Sequence, residues 1–410
     1  MRDWLPQQAR RRAIVSDRIL RSLELFGYQR VEVPPFEYAD VLEKGFINVE
    51  AAVRFVEPET GKIAALRSDV TPQIARLVTS RFATGPWPAR LSYQASVMRR
   101  RHERARLDQK VRQVGFELVG LPEQAGDLEV LEAATSALRQ AGLNEFTVDL
   151  AHAQVAGALL DQLAPGPRAD ALECLALKDS AELRQVGTHA GLLGRSLEAL
   201  VALPSLHGGD ELWPRAERAL CGTAAEAPLR SLQGIWSRAV AARLAPRFVV
   251  DLGETREFYY YTGTMFHLLA EGPGEPLGSG GRYDTLFERF GLPCPAAGFA
   301  FDISNVCWAL EASGIADPPL ERVLICAESA DVGRDVAREL RARGVACALG
   351  PEALPEAYAI RWDYTHLLAL GAARGELKRV GSGAAVPLAA KNVAEIAHVV
   401  AAHLRVLEES

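Results

Sequence analysis

Gln113 and Glu117 stand four residues apart in Arg112-Gln113-Val114-Gly115-Phe116-Glu117-Leu118-Val119-Gly120, a stretch whose composition reads as a β-strand. An even offset puts both side chains on one side of a strand, so an amide and a carboxylate face the same space. A second concentration of chemically able residues runs from Asp251 to Thr264. There Arg256, Tyr260 and Tyr261 set one guanidinium beside phenols that both donate and accept hydrogen bonds. Taken alone, that segment also reads as a buried aromatic strand with an arginine at its rim. Asp69 and Thr71 precede Pro72-Gln73-Ile74-Ala75-Arg76 and suit the start of a helix that has proline in its first turn. The run Arg99-Arg100-Arg101-His102-Glu103-Arg104-Ala105-Arg106 offers local positive charge for phosphate contacts, or a solvated loop of paired charges. Asn305, which follows Gly298-Phe299-Ala300-Phe301-Asp302-Ile303-Ser304, is neutral and cannot grip a phosphate bidentately as a guanidinium does.

These groups need a scaffold, and 410 residues are enough for two or three domains with a substantial core. A net charge of −6 argues against broad nucleic-acid coating but leaves room for a local basic groove. No apolar run reaches membrane-spanning length, and Met1-Arg2-Asp3-Trp4-Leu5-Pro6 lacks a signal-type apolar stretch, so a cytoplasmic protein is expected. Cys174, Cys221, Cys294, Cys307, Cys326 and Cys347 are scattered without metal-ligand spacing and read as reduced thiols; neither metal nor cofactor is expected.

Val15, Ile19, Leu23 and Phe26 recur at helical steps over Gln7 to Phe26, Gly27 closes that helix, and Tyr28 to Val33 alternates as a strand before Pro34-Pro35. Strands are expected at Ala64–Leu66, Ala89–Tyr93, Arg112–Val119, Phe146–Leu150, Phe248–Leu252 and Phe258–Phe266, with a helix over Pro122–Ala141. Residues 153–245 are Ala/Leu-rich and helical in period, and read as an insertion. A linker at 314–319 separates residues 1–313 from 320–410. Strands at Val323–Cys326, Val345–Leu349 and His366–Leu370, with helices at Asp331–Arg343 and Val393–Leu407, make that last part a small α/β unit with a parallel sheet. Between Pro351 and Thr365 a full crossover is cramped.

The motifs together resemble histidyl-tRNA synthetase, a class II aminoacyl-tRNA synthetase. Residues 298–305 resemble its last active-site motif, Gly-Phe-Ala-Met-Gly-Leu-Glu-Arg, with Asn305 where the family's ATP-holding Arg falls. Leu66-Arg67-Ser68-Asp69-Val70-Thr71 is similar to Leu-Arg-Pro-Glu-Gly-Thr, so Asp69 takes the place of the carboxylate that binds the amino group, although it also suits a cap. Leu91 to Arg101 resembles motif 2, with Arg99 on the family's α-phosphate and carboxylate Arg and Arg101 where a Glu receives the adenine amino group. A cation cannot accept that hydrogen bond. Gln113 and Glu117 fall on the strand that receives the amino acid's polar groups. Asp251 to Thr264 resembles the histidine motif Leu-Val-Arg-Gly-Leu-Asp-Tyr-Tyr-Thr-Gly-Thr, matching at Arg256, Tyr260, Tyr261 and Thr262-Gly263-Thr264 and departing at Glu257 and Tyr259. Phenols suit a neutral imidazole, which presents one donor and one acceptor. Gly280-Gly281-Arg282-Tyr283-Asp284 follows closely, and Tyr283 is a further candidate wall.

What the resemblance implies is an α+β fold: a class II synthetase-like antiparallel sheet flanked by helices, with a helical insertion and a degenerate anticodon-binding-like domain. It implies histidine recognition by Asp69, Thr71, Arg99, Gln113, Glu117, Arg256, Tyr260, Tyr261 and Tyr283. With Arg101 and Asn305 opposing ATP, the chain is similar to the regulatory-subunit family of ATP phosphoribosyltransferase, which serves the first step of histidine biosynthesis and its feedback. The expected partners are a short-form catalytic subunit and L-histidine as effector, bound in the pocket or at a subunit interface, and the expected assembly is a homodimer within a hetero-oligomer. A divergent active histidyl-tRNA synthetase is the alternative, and a histidine- or tRNA-sensing module for another partner is a third.

Overall fold

A computed structural model of the chain describes residues 3–45, 52–98, 110–255, 261–317, 320–351, 354–371, 375–382, 385–388 and 392–408. It divides into two units, Met1–Ala316 and Asp317–Ser410.

The first unit opens with α1 (Pro6–Leu25), whose face of Val15, Ile19, Leu20 and Leu23 is buried. Gly27, at φ +83°, turns the chain into β1 (Gln29–Arg30). The strand expected over Tyr28–Val33 thus pairs over only two residues, parallel to β5 (Ala89–Met98), and Pro34-Pro35 supply no further donors. A separate three-stranded sheet, β2 (Phe36–Tyr38), β3 (Arg54–Val56) and β4 (Ile63–Leu66), carries α2 (Ala39–Lys44) and leads into α3 (Thr71–Arg81). After β5 come β6 (Lys110–Val119), α4 (Glu123–Gln140) and β7 (Thr147–His152).

Helices then dominate: α5 (Ala153–Leu160), α6 (Pro165–Ala176), α7 (Ser180–His189), α8 (Gly194–Ala202), α9 (Trp213–Leu220) and α10 (Glu226–Ala241), interrupted by the short β8 (His207–Gly208). This segment is tied to the sheet. β8 pairs with β9 (Arg247–Asp251), and Lys178 Nζ holds both oxygens of Asp251 at 2.8 and 2.7 Å. β10 (Thr264–Leu269), β11 (Gly278–Arg282), α11 (Asp284–Arg289), β12 (Ala296–Asp302) and α12 (Ile303–Ala312) complete the unit.

Nine strands make one sheet in the order β1-β5-β6-β12-β11-β10-β7-β9-β8. Its pairings are antiparallel except β1 with β5 and β7 with β9. The two faces of β6 differ because side chains alternate. Val114, Phe116 and Leu118 enter the main core with α1, α4, α10 and α12, where Phe299 stacks on Phe266 at 4.9 Å and meets Phe301 edge-to-face at 4.8 Å. Each such buried side chain contributes roughly 1.5–3 kcal/mol of burial free energy. The opposite face carries Gln113, Gly115 and Glu117 and is overlaid by α3 through Ile74, Ala75 and Val78.

The second unit holds β13 (Arg322–Ala327), α13 (Ala330–Ala342), β14 (Ala346–Leu349), α14 (Pro355–Arg361), β15 (His366–Leu370), β16 (Gly375–Arg379), β17 (Ala385–Leu388) and α15 (Val393–Glu408). β14 and β15 flank β13 in parallel, as an α/β pattern requires, but β16 and β17 extend the sheet antiparallel, so it is mixed. The cramped crossover exists: seven residues of α14 provide it, entered through Leu354 at φ 50°.

Candidate functional site

β6 presents Gln113, Gly115 and Glu117 to the space under α3, as their even spacing requires. Glu117 is 2% exposed, and three hydroxyls converge on it. Thr71, in the first turn of α3, donates to Oε1 at 2.7 Å, and Tyr93 of β5 donates to the same oxygen at 3.4 Å. The Tyr283 hydroxyl donates to Oε2. Burial pushes the Glu117 carboxyl well above its usual range. The Thr71 bond pulls it back, the Asp69 charge adds to the rise, and the Tyr93 bond opposes it. Burial, then the charge of Glu117, likewise raises the Tyr93 phenol.

This carboxylate and its hydroxyl partners fit together because two neighbours lack side chains. Gly298 of β12 lies opposite Glu117, and a Cβ there would overlap Glu117 Oε2 and come within 2.6 Å of the Tyr283 hydroxyl and the Phe116 carbonyl. Gly115 faces Tyr93 across the β5–β6 pair, and a Cβ there would strike the Tyr93 ring. Gln113, 3% exposed, has an Oε1 that is buried with no hydrogen-bond partner among the described residues. A buried acceptor in that state calls for a donor.

Asp69 sits at the start of α3, where its Oδ1 accepts from the N–H groups of Val70 at 2.7 Å and Thr71 at 3.5 Å. The cap expected of Asp69 or Thr71 does not form, because the N-cap of α3 is Val70 and it has no side-chain cap bond; the Asp69 charge is felt by Glu117 and Tyr93. Tyr261 is buried in the same cluster as Tyr93, Met265 and Tyr283. Thr262 donates its N–H to the Arg282 carbonyl at 2.7 Å and accepts from Asp284 N at 3.0 Å, which joins the two motifs that carry these tyrosines. Arg99, Arg101, Arg256 and Tyr260 lie outside the described residues.

Seven residues along β12 and into α12 the chemistry changes. Asp302 caps α12 by accepting from Ser304 N at 2.9 Å and Asn305 N at 3.3 Å. Asn305 is 3% exposed, and its Nδ2 donates to the Pro276 carbonyl at 2.7 Å. Arg12 of α1, buried beneath Trp4, donates to Ser304 Oγ at 2.6 Å. Polar groups at this end bind the protein's own backbone and side chains.

The sequence reading missed Tyr93 as a Glu117 partner and Gly298 as the residue that makes room for Glu117 and Tyr283. The signal for Tyr93 was the glycine placed between Gln113 and Glu117, which leaves room for a large cross-strand neighbour. Gly298 required strand order, which no local pattern contains. Among the described residues no group of three or more His, Cys, Asp or Glu is placed to hold a metal ion, and no helix is long and apolar enough to cross a membrane. What the arrangement offers is reception of a cation or N–H donor: a desolvated carboxyl regains its charge when a positive partner arrives.

Residues 1–306 match the family model for histidyl-tRNA synthetase. An ATP phosphoribosyltransferase regulatory subunit of Moorella thermoacetica is 36% identical over 85% of this chain and 90% of its own length. One from Anaeromyxobacter dehalogenans is 40% identical over 76% of this chain and 90% of its own length. Among solved structures, an ATP phosphoribosyltransferase regulatory subunit/histidyl-tRNA synthetase from Bacillus halodurans C superposes with a TM-score of 0.78 at 26% identity, covering 90% of this chain and 97% of that one. Histidyl-tRNA synthetase from Nostoc sp. PCC 7120 shares the fold, with a TM-score of 0.77 at 18% identity over 98% of this chain and 97% of that chain.

Proposed function

The chain belongs to the histidyl-tRNA synthetase family, among relatives that are ATP phosphoribosyltransferase regulatory subunits, and from that premise we propose that it is the non-catalytic regulatory partner of a short phosphoribosyltransferase and reads L-histidine in its synthetase-like recess. The observation that carries the histidine reading is the Glu117 carboxyl, buried and ringed by Thr71, Tyr93 and Tyr283. An α-amino group or an imidazole N–H entering there supplies a positive partner, which the carboxyl lacks among the described residues, and the Gln113 oxygen accepts a second N–H. Asp69 adds negative potential at the mouth of α3, and Tyr261, with Arg256, Tyr260 and Arg99 of the matching motifs, completes the set. The first step of histidine biosynthesis is then run by the partner, which holds the phosphoribosyl chemistry.

ATP activation is absent on this reading. Asn305 is neutral and its amide is engaged with Pro276, so it supports a structural role and not a grip on triphosphate. Arg101 replaces an acceptor by a cation. Regulation is linkage: histidine alters the partner's rate only through different affinities for active and inhibited assemblies. Two chains associate as a homodimer within the larger hetero-oligomer, in a cytoplasmic setting.

The test mixes the chain with a short ATP phosphoribosyltransferase catalytic subunit. Activation on mixing, inhibition by histidine, and no histidine-dependent ATP–pyrophosphate exchange are expected. Exchange at synthetase rates, or charging of tRNA with histidine, overturns the assignment. Unaltered feedback after Glu117→Gln moves the effector site to an interface.

A further inference from the structure

Arg282 ends β11 with its side chain on the face away from the recess, paired in register with Ala297 of the main core. Its Nε donates to Asp127 Oδ1 at 2.7 Å, Nη1 to Asp284 Oδ1 at 2.9 Å and Nη2 to the Leu121 carbonyl at 3.4 Å. The side chains of Arg282 and Asp127 are 6% and 7% exposed. Two glycines keep the space: a Cβ on Gly126 would lie 2.7 Å from Nη2, and one on Gly263 would lie 3.0 Å from Cδ. The next residue is Tyr283, whose N–H donates to Ala296 O at 2.9 Å and whose hydroxyl reaches Glu117. Asp284 accepts from Ala296 N at 2.9 Å and donates its own N–H to Thr262.

Replacing a buried ion pair by apolar residues is often neutral or favourable for stability, so stability alone gives no reason to build this one. Its geometry does give one. The guanidinium fork fixes residues 282–284, and through them the chain at Thr262, in two directions at once. We infer that Arg282, held by Asp127, is a positioning residue for the histidine recess, setting the Tyr283 phenol on Glu117 from the far side of the sheet. Arg282 does not meet the ligand. The inference rests on the proposed histidine reading and extends it to the α4 layer.

The experiment uses the full chain with the catalytic subunit and titrates histidine by calorimetry and by inhibition. Arg282→Lys keeps the charge but loses the fork, and Asp127→Asn loses the charge at the helix. Each is expected to weaken histidine affinity about tenfold, the usual scale for partners that orient a binding group. Activation of the partner without histidine is expected to stay within about twofold. A purely architectural role lowers the calorimetric stoichiometry and the melting midpoint but leaves the affinity of folded protein unchanged, and that result overturns the inference. Should Arg282→Lys fail to fold, Asp127→Asn carries the test. In a Tyr283→Phe background, Arg282→Lys is expected to add nothing, because both act through one contact, whereas full additivity overturns the route. Glu117→Gln runs in parallel. Loss of binding there with wild-type affinity in the Arg282 and Asp127 variants removes this inference alone. Wild-type affinity in all three removes the histidine reading with it.

Discussion

Strand β12 joins two corners that have had opposite fates. At Gly298 the protein makes room for one carboxylate and aims three hydroxyls at it, while a buried amide oxygen nearby lacks a donor among the described residues. At Asp302 to Asn305 each named polar side chain is already engaged, with the α12 backbone, with Arg12 or with the Pro276 carbonyl. The first corner carries unmet hydrogen-bonding capacity, and the second has been converted into structure. Ligand recognition and architecture draw on the same residue types, and what separates them is whether the partner is internal.

The sharpest way to break that contrast is Glu117→Gln. Histidine binding is expected to fall by roughly ten- to a hundredfold, since a charged hydrogen bond is worth about 1.5–3 kcal/mol. The melting midpoint of the empty protein should stay at or above wild type at neutral pH, because a desolvated carboxyl is removed. A drop in stability with intact binding would reverse the roles of the two corners. Gly298→Ala should abolish the histidine response and cost about 1–3 kcal/mol in chemical denaturation, because the new methyl meets the rigid Phe116 carbonyl as well as Glu117. Asn305→Ala is the mirror experiment. It should destabilise by about 1–3 kcal/mol by orphaning Pro276 O, with histidine affinity unchanged. Asn305→Arg by itself should yield no ATP–pyrophosphate exchange.

The smallest effect is in the pH dependence. The folded-state pKa of Glu117 is raised above 4.5, so its contribution to stability is fully present below 4.5 and is lost as pH rises through the folded value. Wild type minus Glu117→Gln, followed by melting against pH, should show that decline, and histidine should remove it. His152, which caps α5 by accepting from Gln154 N, is driven by burial down to about 4. Its contribution is present above 6.5 and fades as pH falls towards about 4, so His152→Asn should flatten the acid limb alone.

Local pattern carried much of this. The even offset of Gln113 and Glu117 fixed their shared face, and periodicity located α1, α4 and α13 to within a residue or two at each end. The class II synthetase fold and the regulatory relatives are those that the motifs as a whole implied. Contacts between residues far apart in sequence were out of reach. Tyr93 on Glu117, Asn305 on Pro276 and Arg282 on Asp127 join residues 24, 29 and 155 positions apart. The β16–β17 hairpin escaped notice because short edge strands of mixed polarity, Glu376-Leu377-Lys378 among them, carry little alternating signal.

Gly115 and Gly298 contribute no functional group, yet Tyr93, Glu117 and Tyr283 occupy the space of the methyls they lack. Error is therefore tolerated unevenly. A changed hydroxyl or amide leaves a cavity that another solute can enter, whereas one added carbon at 298 leaves no cavity to adapt. A descendant of this chain drifting towards a new effector has freedom at Gln113 or Tyr261, and almost none at the blank positions between them.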